Sequence, residues 1–362
     1  MKRTLAAGCL AATLLSARNG LAQTSSRTLL VLCKSTQSLL MIDPQTFKVL
    51  GQAPAGTDPH EVVASPDGKT AYISNYGGPG SDMHILSVVD LVTRQALPPI
   101  DLGPLRSSHG LAFSGNKLYF TVETSKAIGR YDPVLRTVDW VMGTGQDRTH
   151  MIEVSPDQHH IFTSNVSSGT ISLIDEGEAH GGFGPPPPDG QHRGGPPPGP
   201  PRKSWTVTNV PAGHGSEGFD VAPNGRELWA ANAQDATITV IDVAAKKVLQ
   251  TLPVALRGAN RLKFTPDGKR VLVSGLGFGP HSSGPAPADL VVFDAVTRQP
   301  IKQIQLGGGA AGILMDPDGR RAFVAVSGSD HLAVIDLASL AVVGQVVTGK
   351  MPDGMAWATV SP

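Results

Sequence analysis

One pattern recurs down the chain: an apolar strand, a turn of Pro-Asp-Gly type, and a second apolar strand. Residues 62–75, 152–165, 219–232, 262–275 and 313–326 carry it. Their turns are Pro66-Asp67-Gly68, Pro156-Asp157-Gln158, Pro223-Asn224-Gly225, Pro266-Asp267-Gly268 and Pro317-Asp318-Gly319, with a shortened sixth at Ser114-Gly115-Asn116. Proline presets φ for the turn, and Asp, Asn or Gly accepts the positive φ that closes a hairpin, so each is a turn with a mechanism. A second marker follows each pair, an apolar strand ending in Asp: Asp43, Asp90, Asp132, Asp175, Asp242, Asp294 and Asp336. Aspartate at a strand end bonds the amides of the next turn, so all seven read as structural.

Seven markers and six internal turns require one divided unit. The N-terminal strands near residues 28–34, 38–42 and 47–52 lack an inner strand, and the C-terminal 355–360 lacks outer ones. Joined, they complete a seventh four-stranded unit and close a ring, the arrangement by which a β-propeller protects its sheet edges. The expected fold is all-β, a seven-bladed propeller of four-stranded blades. Composition agrees: Gly 42 and Pro 30 make up about a fifth of the 362 residues, while hydrophobic residues still reach 40%.

Residues 1–22 read as a secretory signal: Lys2 and Arg3, an apolar stretch from Leu5 to Leu15, then Gly20-Leu21-Ala22 as cleavage site. The expected product is periplasmic or secreted, a monomer occupying 23–362 as one domain. No later apolar run is long enough to span a bilayer. Cys9 would leave with the signal, and Cys33, alone thereafter, reads as a small buried strand residue. With 30 basic and 30 acidic residues the chain has no phosphate-neutralising surface, which argues against a nucleic-acid partner. Residues 176–202 hold Pro185 to Pro188, Pro196 to Pro198, Pro200 and Pro201 among many glycines. This reads as a disordered loop between the third and fourth strands of blade three, with His180 and His192 as solvated side chains.

Tyr72-Ile73-Ser74-Asn75, Phe162-Thr163-Ser164-Asn165 and Leu228-Trp229-Ala230-Ala231-Asn232, each behind its turn, resemble the repeat of the YVTN-type β-propellers over essentially all of 28–360. That superfamily is similar to lactonases, haem-binding nitrite reductase domains and binding proteins alike, so the resemblance implies a fold more than an activity. Without a Cys-x-x-Cys-His, covalently attached c-type haem is excluded. Trp-Asp repeat ends are also absent.

Propeller sites form where inner strands begin, because equivalent residues of different blades converge there. The residue five before each turn-preceding position gives His60, His109, His150, Glu217, Asn260, Ala311 and Asp353. Three histidines in one ring are candidate ligands of Zn²⁺ or a similar divalent metal, with Glu217 as proton acceptor and Arg148 as the fork that holds a substrate carboxylate. His214 is a candidate orienting group. The competing reading is polar channel lining bonded to backbone or water. Glu153, Asp220 and Lys263, three residues further along, read as an ion-paired channel wall. Two expectations follow for function: a metal-assisted, lactonase-like hydrolase or lyase acting on a small ligand, or a non-catalytic module binding a cell-envelope protein. The Gly-rich stretches 76–84 and 276–288 are candidate lids.

Overall fold

A computed structural model describes residues 26–178, 203–278 and 288–360. The expected signal sequence at 1–22 and residues 179–202, with His180 and His192, lie outside it. Seven four-stranded antiparallel sheets form a ring, and among the described residues the only helical turn is Ser327–Ser329. Blades one to six begin with the inner strands Pro59–Ala64, Ser108–Ser114, Thr149–Val154, Ser216–Val221, Ala259–Phe264 and Ile313–Met315. Blade seven is divided as expected. The C-terminal strand Pro352–Val360 pairs with Ser26–Cys33, running from Ser26↔Val360 to Cys33↔Pro352, and Ser38–Ile42 and Val49–Pro54 complete the sheet. This pairing closes the ring by hydrogen bonds between the two ends of the chain.

The hydrophobic core lies between blades. Trp229 of blade four packs edge-on against Phe264 and Phe293 of blade five. Phe323, Leu332 and Val334 of blade six meet Leu29, Val31 and Cys33 of blade seven. Each fully buried large side chain contributes about 1.5–3 kcal/mol. Outermost strands such as Lys247–Pro253 are mostly exposed, consistent with their polar and Pro-bearing composition.

The turn chemistry is as read. Asp67 accepts hydrogen bonds from Ser65 Oγ and the Lys69 amide, with Gly68 at φ 70°. Six of the seven strand-end aspartates accept turn amides, as Asp90 does from Val92 and Thr93. Asp175 differs: its strand continues to Glu178, which pairs with Lys203, and its carboxylate bonds His160 and Lys246 instead. The proline-rich segment therefore does join the third and fourth strands of blade three, but residues 176–178 belong to a strand rather than a loop.

A shared irregularity shapes the channel. In blades one to five the inner strand bulges, with two residues opposite one, as where His60 and Glu61 lie between the pairs Pro59↔Asn75 and Val62↔Ile73. The second bulge position is glycine in Gly110 and Gly218, and the matching positions in blades six and seven are Gly312 and Gly354. A Cβ there would press on the next blade, 2.5 Å from His150 O for Gly110 and 2.2 Å from His60 O for Gly354. Gly354→Ala should therefore cost about 1–3 kcal/mol by overpacking. Gly143→Ala, where a Cβ meets nothing within 4 Å, serves as the control. Equal urea midpoints for the two variants would contradict this account.

Candidate functional site

In blades one to five the column residue is the first of its bulge pair, so the bulge presents it at the mouth where the inner strands begin. In blade two the Gly110 amide donates to Thr121 Oγ, which donates to His150 O of blade three. In blade three the Met151 amide donates to Ser164 Oγ, which donates to Glu217 O of blade four. These hydroxyls occupy the third position of the Tyr-Ile-Ser-Asn type motif. The asparagine after it braces the frame: Asn75 donates to Ala55 O and Thr57 O and accepts from Ser87, while Asn165 and Asn232 bond neighbouring threonine and serine hydroxyls.

The three histidines do come together. The rings of His109 and His150 stack with centroids 3.6 Å apart at 32°, and His60 lies 4.7 Å from His109. Tyr76 closes over them, its ring 5.0 Å from His60 and 5.1 Å from His109. Its hydroxyl donates to Glu123 Oε2 at 2.5 Å. The first residue of the 76–84 stretch thus covers the site; 279–287, within the other candidate lid, lie outside the described residues.

Carboxylates flank the stack. His150 Nδ1 bonds Glu123, and its Nε2 lies 3.0 Å from Glu217 Oε2 without hydrogen-bond alignment. Glu217 also receives Asn260 Nδ2 at 3.4 Å and has Arg261 at 3.9 Å. Arg148 reaches Glu123 Oε2 at 3.3 Å from a left-handed backbone position, φ 54°. Lys34, Asp58 and Asp353 surround His60. His214 departs from expectation: it is 82% exposed and pairs with Asp235, away from the cluster.

Electrostatics differentiate the rings. Burial lowers His109 well below the ordinary imidazole value, reinforced by His150 and His60. Burial acts likewise on His150, but Glu217 and Glu123 outweigh it and raise His150 above that value. The stacked rings are therefore unlike: His150 holds its second proton more strongly than an ordinary imidazole and His109 more weakly. Burial opposes ionisation of Glu217, yet His150, Arg261 and Arg148 bring its pKa down to about 2. Glu123 is lowered too, burial being outweighed by His150, Tyr76 and Arg148.

The arrangement does not fit a three-histidine metal centre. Stacked rings do not aim their lone pairs at one point, and among the described residues no group of three or more His, Cys, Asp or Glu is placed to hold a metal ion. Two buried nitrogen atoms of the cluster, His109 Nδ1 and Arg261 Nη1, lack a hydrogen-bond partner, Arg261 Nη1 lying 3.9 Å from Glu217. Buried polar groups are normally satisfied, which sets this pair apart.

Lys34, Tyr76, Glu123 and Arg261 were not singled out as site residues. Lys34, Tyr76 and Glu123 form a second column, one residue beyond the end of the second strand, and that register could have revealed them. Arg261 is the residue after Asn260.

Both glutamates are depressed in the folded chain, so the stability from their ionised forms is complete above pH about 4.5 and is lost as pH falls toward about 2. Chemical unfolding should weaken steeply across that window. Glu217→Gln should flatten the profile and cost about 3 kcal/mol at pH 7 by stranding His150 and Arg261. An unchanged acid slope would show that Glu217 is not ionised in the cluster.

No family model and no curated protein matches the chain. Solved structures do. A functionally unknown protein from Desulfotomaculum acetoxidans is similar at TM-score 0.67 and 14% identity, over 92% of this chain and 99% of that one. A candidate 6-phosphogluconolactonase from Bacteroides uniformis gives TM-score 0.67 at 15% identity, over 91% and 99%. The dihydro-haem d1 dehydrogenase NirN gives 0.58 at 15%, over 91% and 74%. At these identities the likeness establishes the seven-bladed fold.

Proposed function

We propose that this chain is an exported, monomeric propeller that binds a small anionic or hydroxyl-rich molecule at the mouth where its inner strands begin. The observation that carries the reading is the pair of buried nitrogen atoms, His109 Nδ1 and Arg261 Nη1, that lack a hydrogen-bond partner. Arg261 offers an N–H donor, and His109, whose pKa is lowered, offers either a donor or an acceptor. A carboxylate, a lactone carbonyl or a sugar hydroxyl meets that set; an apolar or cationic ligand does not.

The reaction class these groups would serve is hydrolysis or elimination at a small sugar-derived carbonyl compound, in keeping with the lactonase-like neighbour. In hydrolysis, water would add to the carbonyl carbon and lose its proton to solvent, Arg148 and Arg261 would stabilise the oxyanion, and His150, oriented by Glu123, would give a proton to the departing ring oxygen as the C–O bond breaks. Glu217, held ionised by its cationic neighbours, is a weak base and acts chiefly by holding His150 protonated. No step requires a metal. A divalent ion on His60, His109 and His150 would need the rings to unstack, and elemental analysis of protein made without a His tag decides that alternative.

Gluconate and glucono-δ-lactone are suitable probes. Calorimetry should detect binding of at least one, weakened about tenfold or more by Arg261→Gln, the loss of a charge-assisted hydrogen bond. If lactone is hydrolysed, His150→Asn should lower kcat about 100-fold, in the range for a general acid. Binding retained in both variants would favour the second reading, an envelope-protein docking module without chemistry.

A further inference from the structure

Beyond the mouth, the Glu61–Arg261 ion pair spans the channel from blade one to blade five, Arg261 Nη2 lying 2.9 Å from Glu61 Oε1. Together with the inner strands it lines an open cavity of about 490 Å³, within the range of small-molecule sites. Leu111, Phe113, Met151, Met355 and Trp357 give it an apolar wall. Its charged residues are Glu61, Arg261, Glu153, Asp220 and Lys263.

Four of these five are matched. Glu61 pairs with Arg261, and Lys263 Nζ pairs with Asp220 Oδ1 at 2.5 Å, while Asp220 Oδ2 accepts the Phe264 amide at 2.8 Å. Glu153 is left over. Its carboxylate takes the Val221 backbone amide, but no cation pairs with it among the described residues, and the Asp220 carboxylate and the Lys263 ammonium both act on it from nearby. The expected ion-paired wall is therefore present but is one cation short.

We propose that this lower chamber is a second binding site, separate from the histidine cluster, for an organic cation: a protonated or quaternary amine with a short apolar body. The ammonium would sit at Glu153 and complete the charge balance of Glu61, Asp220, Arg261 and Lys263, and the methylene chain would lie along Met151, Met355 and Trp357. An anion would meet an excess carboxylate, and a neutral molecule would leave that carboxylate unmatched.

Burial, with Asp220 adding to it and Lys263 opposing it, raises the Glu153 pKa to about 7. Proton and ammonium therefore compete for one carboxylate, and affinity falls by about tenfold per pH unit once the solution is well below pH 7.

The test is calorimetric titration of the full chain with n-hexylammonium, hexanoate and hexanol. Hexylammonium should bind at pH 8, with affinity at least tenfold weaker at pH 6, and the other two should not compete with it. Glu153→Gln should remove binding at pH 8 while the His150→Asn variant keeps it, which separates this site from the one at the mouth. Glu153→Gln should also raise the melting temperature at pH 8, where the native carboxylate is ionised without a partner, and leave it unchanged at pH 4. Hexanoate binding as tightly, a pH-independent wild-type affinity, no binding of any of the three at millimolar concentration, or full binding by Glu153→Gln would each overturn the proposal. The wild-type pH profile stands even if the variant folds poorly.

Discussion

The site depends on one hydroxyl, repeated. On the second strand of a blade, Thr121 or Ser164 accepts the bulge amide of its own inner strand and donates to a carbonyl at the bulge of the next. The link satisfies backbone groups that the bulge removes from the ladder and ties blade to blade at the level where His109, His150 and Glu217 begin. Gly110, Gly218, Gly312 and Gly354 let the strands approach closely enough for such links to form. Without that approach the histidine rings could not stack.

Repeat chemistry made the fold legible. Turn residues, strand-end aspartates and the divided blade were readable because each states a local backbone requirement in residue type. The column of His60, His109, His150 and Glu217 was readable because register is conserved from blade to blade. Side-chain direction was not. Three histidines at equivalent positions suggest convergence on a point, yet propeller side chains at these positions lean toward the neighbouring blade, which turns convergence into a stack. His214 was misjudged for a related reason: nearness in sequence to Glu217 does not place it on the same side of the strand entry, and Asp235 takes it outward. Glu123 is harder to read because Val122 stands where blades one, three and four have asparagine, so the motif that marks the position there is missing.

The two ends of the channel hold opposite surpluses of hydrogen-bonding capacity. At the mouth, His109 Nδ1 and Arg261 Nη1 are buried without a hydrogen-bond partner. Below the Glu61–Arg261 bridge, an unmatched carboxylate faces a largely apolar chamber. Buried charge costs several kcal/mol per ion when uncompensated, which is why both places are proposed as binding sites.

The central claim is that His150, held by Glu123 and Glu217, and His109, stacked on it at the mouth, titrate in opposite directions from an ordinary imidazole. Imidazole ¹⁵N NMR across pH, assigned through His109→Gln and His150→Gln, measures this directly. The account predicts that His150 keeps its second proton above pH 6.5 while His109 stays neutral well below it. Joint titration of both rings near pH 6.5, or a His150 that loses its proton before His109 does, would contradict it.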